Sequence, residues 1–113
     1  MKKVFITGGC GFVGSLLIPR LLEKYFVTVY DCMFFGSKFM PNHQNLELIE
    51  GDIRNTKFLE SKINNHDIFI NLACISNDAS FELSEDLSTS VNLDAFEPMV
   101  VAAKKSGVRR FIY

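Results

Sequence analysis

The stretch "ITGGCGFVGS", residues 6–15, is the most informative part of the sequence, because three glycines at a three-residue spacing separate two different hydrophobic patterns. Residues 3–6 before the glycines are rich in β-branched and aromatic side chains, which are typical of a strand. Residues 12–25 after them are rich in helix formers, with apolar residues recurring on one helical face. The stretch therefore predicts a strand, a tight turn and a helix.

The three glycines, Gly8, Gly11 and Gly14, suit a turn that binds phosphate groups. One glycine permits the sharp turn, one lets the backbone approach a pyrophosphate, and one lets the helix pack close to the strand. Backbone N–H groups of the first helical turn, at Phe12 and Val13, would hold the diphosphate together with the helix dipole. Glycine-rich turns also serve purely structural ends, so the neighbouring elements carry the argument.

The next predicted strand ends in a carboxylate. Residues 26–31, "FVTVYD", end in Asp31, about twenty residues after the first glycine, where dinucleotide-binding folds place the acidic residue for the adenosine ribose. Asp31 would accept hydrogen bonds from both ribose hydroxyls and repel a 2′-phosphate, which favours NAD over NADP. An aspartate that merely ends a strand in a turn fits the same pattern, and Lys38 could meet a 2′-phosphate.

Strands and helices alternate along the rest of the chain. Strands are predicted from Asn45 ("NLELIE") and from Asp67 ("DIFINLA"), with a short helix from Thr56 between them, capped by Asn55. No repeat, linker or low-complexity tract interrupts the alternation. The fold class expected is therefore α/β, with a parallel, doubly wound sheet of about five strands.

The last helix is predicted to run from near Ser84 to a pair of lysines, with Gly107 following its end. Pro19 in the first helix and Pro98 in the last each remove a backbone donor and clash with the preceding turn. We expect bends at both prolines rather than helix ends, because the apolar pattern resumes on the same face after each one.

Composition and charge limit the classes of partner. A chain of 113 residues with 48% hydrophobic content can form one core. A formal net charge of −1 gives no support for a nucleic acid or an anionic membrane as partner. No apolar run approaches the roughly 18 residues that span a bilayer, and the charged start lacks the apolar core of a signal peptide. We expect a cytoplasmic location.

The cysteines and histidines show no metal-binding spacing. Cys10, Cys32 and Cys74 are odd in number and share no CxxC pattern, which argues against a disulfide framework or a zinc site. Each follows a predicted strand, where the ligand crevice of an open parallel sheet lies. The thiols therefore either lie near the site or are small buried hydrophobes, and we favour burial. His43 and His66 are predicted as surface loop residues.

Four segments occur in an order and spacing that one enzyme superfamily shares. They are "TGGCGFVGS" at residues 7–15, "EGDIRN" at 50–55, "NLAC" at 71–74, and the helix and strand at 91–113. Together they resemble the extended branch of the short-chain dehydrogenase/reductase superfamily, which contains nucleotide-sugar epimerases and dehydratases. The resemblance covers nearly the whole chain.

This resemblance implies a Rossmann-like fold and a set of cofactor contacts. In the family the aspartate and the next residue of the second segment contact the adenine, and the backbone of the third segment lines the cofactor. The residues expected to bind NAD are Gly8, Gly11, Phe12, Val13, Gly14, Asp31, Cys32, Asp52, Ile53, Leu72, Ala73 and Cys74. Residues 76–86 fall where the family begins to line its substrate, although loop and capping roles are favoured for them. Asn92 resembles a recurrent family asparagine.

The family's catalytic pair has no counterpart in this sequence. The resemblance implies a Tyr-x-x-x-Lys pair after the fifth strand, in which the lysine lowers the tyrosine pKa. Tyr25, Tyr30 and Tyr113 are not followed four positions later by lysine. We expect residues 1–113 to be the amino-terminal part of a single NAD-binding domain, truncated before the catalytic helix, without the substrate-binding region. By itself it is expected to be inactive and poorly stable.

By resemblance, the whole enzyme would oxidise a carbon of a nucleotide sugar by hydride transfer to NAD and later return the hydride. It would act as a homo-oligomer. One alternative is a non-catalytic NAD-binding or redox-sensing module that binds partners through the apolar loop at residues 33–40. Another is an NADPH-dependent reductase of the same superfamily.

Overall fold

The computed structural model describes residues 1–33, 36–73 and 94–113. These ranges contain β1 (Lys3–Thr7), α1 (Phe12–Leu21), β2 (Phe26–Asp31), β3 (Leu46–Glu50), α2 (Thr56–Ile63), β4 (Ile68–Asn71), α3 (Phe96–Lys105) and β5 (Arg110–Ile112). The strand, turn and helix predicted around the glycines are confirmed. The later strands and α2 also lie where the sequence predicts them. None of the helices in these ranges has the length and apolar character that a bilayer span requires.

The strands form one parallel sheet with the order β3-β2-β1-β4-β5. In chain order, β2 and β3 are therefore added on one side of β1, and the chain then crosses over to add β4 and β5 on the other side. Ligands of open parallel sheets bind at such a reversal of strand order, outside the carboxyl ends of the strands. The glycine-rich turn leaves the carboxyl end of β1 and so lies at this point.

Helices cover both faces of the sheet, as a doubly wound fold requires. Alternate residues of a strand point to opposite faces, so each central strand contributes to two cores. The core on the α1 face contains Val4, Ile6, Val27, Val29 and Ile70 with Ile18 and Leu22. The core on the α2 and α3 face contains Phe5, Tyr30 and Phe69 with Leu59, Ile63, Met99, Ala102 and Ala103. Burial on both faces explains why these strands are almost continuously hydrophobic.

Two predicted helix ends are confirmed by their hydrogen bonds. The Asn55 side chain accepts the N–H of Phe58 at 3.3 Å and caps α2. At the end of α3, Gly107 has a φ of +85°, and its N–H donates to the carbonyl of Lys104 at 3.2 Å. The left-handed conformation there favours glycine and ends the helix.

The two prolines differ in their position within the helices. α1 continues through Pro19 to Leu21, so this proline does not end the helix, as predicted. Pro98 lies in the first turn of α3, where an N–H would have no intrahelical acceptor. Pro98 therefore removes no hydrogen bond within the described helix, and the bend predicted there has no cause in it. The predicted start near Ser84 lies outside the described residues.

The prediction that His66 is a surface residue is wrong, whereas His43 is exposed as expected. The His66 ring is buried, with Nδ1 2.8 Å from the carbonyl oxygen of Ile63 and Nε2 2.8 Å from the Thr28 hydroxyl. Its ring also packs edge-on against Phe5, with the ring centroids 5.1 Å apart. The turn between α2 and β4 therefore places the histidine ring against β1 and β2.

Candidate functional site

Gly8 makes the turn after β1 possible. Its φ of +73° is a conformation that L side chains rarely adopt, and its N–H donates to the carbonyl of Tyr30 at 2.9 Å. A Cβ at this position would lie 2.6 Å from the backbone of Ala73. Gly8 is therefore required by the protein itself, since it lets the turn pass directly against the segment after β4.

Gly14 serves the packing of α1 onto the turn. A Cβ there would lie 1.8 Å from the carbonyl oxygen of Gly9, which real structures do not tolerate. Gly9, which the sequence analysis did not single out, is also confined, since a Cβ there would lie 2.9 Å from Val29 Cγ1. Both glycines have structural reasons of their own.

Gly11 is different, because no contact with the described residues requires a glycine there. Its φ of −80° and ψ of −172° are extended backbone that any residue adopts. A Cβ there would meet only the Gly8 carbonyl oxygen, at an ordinary contact distance of 3.6 Å. A side chain at this position would occupy open space at the start of α1. In dinucleotide-binding turns, one glycine lets the backbone approach a pyrophosphate, and the open position at Gly11 is compatible with that role.

The start of α1 presents backbone N–H groups that have no acceptor among the described residues. Gly11 is the N-cap and provides no side-chain cap, and the first N–H groups of a helix have no intrahelical acceptor. Phe12 and Val13, the first two helical residues, are 80% and 57% exposed. An anion at this helix terminus would accept hydrogen bonds from their N–H groups and would be stabilised by the positive end of the helix dipole.

Asp31 contacts the glycine-rich turn directly. Thr7 pairs with Tyr30 in the sheet, so Asp31 lies beside the beginning of the turn. Its Oδ2 accepts the N–H of Cys10 at 3.0 Å, and its Oδ1 accepts the N–H of Met33 at 2.8 Å. A carboxylate has about four acceptor sites, so sites remain for ribose hydroxyls. The sequence analysis missed the bonds to the backbone, although the adjacency of the two strand ends was a signal for them.

The described cysteines have different environments. Cys10 is buried as expected, with its Sγ 3.5 Å from the Met33 sulfur. Burial, with smaller contributions from Asp31 and Cys32, raises the pKa of the Cys10 thiol to about 11. Cys32 is exposed, so the interpretation of this residue as a buried hydrophobe is wrong. It follows the last residue of β2, at the rim of the sheet, whereas Cys74 lies outside the described residues.

The loop after β3 packs on Tyr30. The Tyr30 hydroxyl donates to the Asp52 carbonyl at 2.8 Å, and a Cβ on Gly51 would lie 2.4 Å from the tyrosine ring. The Asp52 carboxylate accepts the Arg54 N–H at 2.9 Å and pairs with its guanidinium, which lowers the pKa of Asp52. The Ile53 side chain is buried in the core, so only its backbone is left to contact a ligand.

The segment after β4 is held by a buried threonine and an asparagine that the sequence analysis did not single out. Asn71 Oδ1 accepts both the Thr7 hydroxyl at 2.7 Å and the N–H of Ala73 at 3.1 Å. The N–H of Leu72 donates to the Thr7 carbonyl at 2.8 Å. These bonds fix Leu72 and Ala73 against the glycine-rich turn.

The structure thus brings most of the predicted contacts to one edge of the sheet. The Nζ of Lys38, a candidate contact for a 2′-phosphate, lies over the Phe39 ring, 5.0 Å from its centre. The predicted substrate-side residues 76–86 and Asn92 lie outside the described residues. Within the ranges that the structure describes, no cluster of three His, Cys, Asp or Glu side chains could hold a metal ion.

A parallel sheet of this order, with a glycine-rich turn and a carboxylate ending the second strand, defines a Rossmann-type dinucleotide-binding domain. The chain belongs to the 3-beta hydroxysteroid dehydrogenase/isomerase family, whose family model matches residues 5–113. The resemblance to extended short-chain dehydrogenase/reductases is confirmed by this match and by the relatives described next.

Relatives with different substrates in their names match the chain to a similar extent. The 3 beta-hydroxysteroid dehydrogenase/Delta 5-->4-isomerase of Mycobacterium tuberculosis is 30% identical over 118 residues, covering 100% of this chain and 31% of the relative. The dTDP-D-glucose 4,6-dehydratase of Mus musculus is 31% identical over 123 residues, covering 99% of this chain and 34% of the relative. The chain therefore spans about a third of the length of these curated relatives.

Among solved structures, the Bordetella bronchiseptica enzyme WbmH in complex with NAD+ is 33% identical with a TM-score of 0.85. The match covers 100% of this chain and 38% of that one.

Proposed function

We propose that this chain binds NAD and forms the cofactor-binding part of an enzyme that acts on a nucleotide sugar by hydride transfer. The observation that carries the proposal is the open position at Gly11. It lies at a helix N-terminus without a side-chain cap, next to Cys10, whose N–H donates to the Asp31 carboxylate, and no contact with residues 1–33, 36–73 or 94–113 accounts for a glycine there.

The described residues divide among the parts of the dinucleotide. The N–H groups of Phe12 and Val13, with the open backbone at Gly11, hold the diphosphate, and the free acceptor sites of Asp31 hold the adenosine ribose. Asp52 and the backbone of Ile53 contact the adenine. The cofactor lies on the turn at Gly8 and Gly14, with Cys32 at the rim of the site, and the segment formed by Leu72 and Ala73 lines its other side.

When bound, NAD supplies the hydride acceptor. The role of this chain is to hold and orient that group rather than to move protons. Burial raises the pKa of Cys10 to about 11 and the pKa of Tyr30 to about 12, so neither group acts as a base near neutral pH. The catalytic acid and base, the substrate-binding region and the contacts of a homo-oligomer belong to other parts of the protein. Residues 1–113 then form the amino-terminal part of its NAD-binding domain, and the enzyme works in the cytoplasm.

Two classes of compound are candidates for the substrate of the enzyme. A nucleotide sugar is supported by the resemblance of the four sequence segments and by the similarity to a dTDP-D-glucose 4,6-dehydratase. A 3β-hydroxysteroid is supported by the family model and by the similarity to the Mycobacterium tuberculosis enzyme. Both reactions place the same demands on the NAD-binding part, so the described residues favour neither substrate.

Calorimetric titration of the protein with NAD and with NADP tests the cofactor assignment. NAD should bind more tightly, because the Asp31 carboxylate repels a 2′-phosphate. If NAD does not bind, the proposal that this chain is a cofactor-binding part is wrong. Incubation of the whole protein, including the catalytic residues proposed to lie outside residues 1–113, with dTDP-glucose or with a 3β-hydroxysteroid, followed by product analysis, then separates the two substrates. Turnover of the steroid alone would replace the nucleotide-sugar assignment.

A further inference from the structure

We propose that Asp31 is a positioning residue, which holds the glycine-rich turn in its ligand-binding shape in addition to any contact with the ribose. The inference rests on the proposed function, since it concerns the same site. It differs in assigning to Asp31 an effect on diphosphate binding, which a ribose contact alone would not have.

One described backbone hydrogen bond crosses the turn between Gly8 and Gly11. The bond across it, from the Gly11 N–H to the Gly8 carbonyl, is long at 3.4 Å. The N–H of Cys10, in the middle of the turn, donates to Asp31 Oδ2 at 3.0 Å. Hydrogen bonds to a charged acceptor are about twice as strong as neutral ones. The carboxylate therefore supplies the stronger restraint on the backbone that faces the diphosphate.

The same carboxylate also fixes the segment that follows β2. Met33 has a φ of +60°, a conformation that residues other than glycine rarely adopt. Its N–H donates to Asp31 Oδ1 at 2.8 Å, and its sulfur lies 3.5 Å from Cys10 Sγ. Asp31, Cys10 and Met33 thus form one unit that joins the glycine-rich turn to the end of β2.

An amide cannot replace the carboxylate in this unit. Both carboxylate oxygens accept a backbone N–H, whereas asparagine has one carbonyl oxygen and one NH₂ group that only donates. Asp31→Asn therefore sets a donor against the N–H of either Cys10 or Met33. The shape and size of the side chain are retained, so the change tests the hydrogen bonds rather than the packing.

The decisive experiment compares two ligands on two proteins. ADP carries both ribose hydroxyls, and 2′,3′-dideoxy-ADP carries the same diphosphate without them. We expect Asp31→Asn to weaken the binding of both ligands by about tenfold, which is the loss typical of a hydrogen bond to a charged group. If the variant binds dideoxy-ADP as tightly as the unmodified protein does, Asp31 acts on the ribose alone and the inference is overturned.

Asp67→Asn is the matched control. The Asp67 carboxylate also accepts a backbone N–H, from Lys3 at 2.9 Å, but at the amino-terminal edge of the sheet. Both variants should lose some thermal stability, whereas only Asp31→Asn should weaken the binding of ADP and of 2′,3′-dideoxy-ADP. An equal loss of affinity in the control would show that general destabilisation explains the effect, and would overturn the inference.

Amide hydrogen exchange gives a second readout that needs no ligand. The Cys10 N–H should exchange at least tenfold faster in Asp31→Asn than in the unmodified protein, while the Leu72 N–H, which donates to Thr7, should be unchanged. Unchanged exchange at Cys10 would refute the positioning role. If the unmodified protein bound neither ADP nor NAD, the proposed function would fail, and hydrogen exchange alone would decide the role of Asp31.

Discussion

Replacing Gly11 with valine separates the binding of the ligand from the folding of the protein. The backbone at this position has a φ of −80° and a ψ of −172°, which valine adopts without strain. A Cβ would touch only the Gly8 carbonyl oxygen, at 3.6 Å. Valine is a poorer N-cap than glycine, so we expect the free energy of unfolding to fall by about 1 kcal/mol.

The expected loss in binding is much larger. The valine methyl groups would occupy the space through which a diphosphate reaches the N–H groups of Phe12 and Val13. Each hydrogen bond to a charged group contributes about 1.5–3 kcal/mol. Losing one or two of them should weaken NAD binding by between about tenfold and about 10⁴-fold, since each 1.4 kcal/mol is a factor of ten.

Calorimetry with NAD and thermal melting by circular dichroism measure the two effects on the same sample. Gly8→Val is the contrasting variant, because its Cβ would lie 2.6 Å from the Ala73 backbone at a φ of +73°. That variant should lose its fold as well as its ligand. If Gly11→Val keeps the NAD affinity of the unmodified protein, the turn is purely structural and the assignment of the diphosphate to it is refuted.

The remaining predictions concern cofactor choice, pH and the core. Asp31→Ser should weaken the binding of both NAD and NADP and should reduce the difference between the two affinities, measured by calorimetry. Equal affinities for NAD and NADP in the unmodified protein would contradict the role of the Asp31 charge. Burial raises the pKa of Cys10 from 9.0 to about 11 and that of Tyr30 from 10.0 to about 12. The unfolded chain therefore loses these protons first, so denaturant melts should show stability falling from about pH 9 to pH 12, and a flat profile there would refute it. His66→Ala should cost about 1–3 kcal/mol, because it leaves a buried hydroxyl on β2 without its partner; calorimetry should find its NAD affinity unchanged.

Local features of the fold could be predicted from the sequence because their causes are local. The change from strand to helix pattern across residues 6–15 predicts the first strand, turn and helix whatever surrounds them. Asn55 caps α2 through a bond to a residue three positions away, and Gly107 ends α3 through its own φ. The alternation of strands and helices then leaves a doubly wound parallel sheet as the arrangement that buries both faces.

The position of the site was also accessible from the sequence, through a pattern that combines local elements. A glycine-rich turn after the first strand and a carboxylate ending the second predict where a dinucleotide lies, since parallel strands end at the same edge of a sheet. The pattern predicts that Gly11 is the glycine at which the backbone approaches a pyrophosphate, but it does not show the contacts that constrain the other two. Gly8 and Gly14 are required by contacts with the protein, whereas Gly11 is not.

Only the tertiary structure decided which side chains are buried and which backbone groups they bind. His66 is buried and Cys32 is exposed, contrary to prediction, because burial depends on what packs over a loop and not on its own residues. The bonds from Asp31 to Cys10 and Met33 likewise depend on the pairing of β1 with β2. Sequence periodicity determines which face of an element is apolar, but contacts between elements exist only once the register and order of the strands are set.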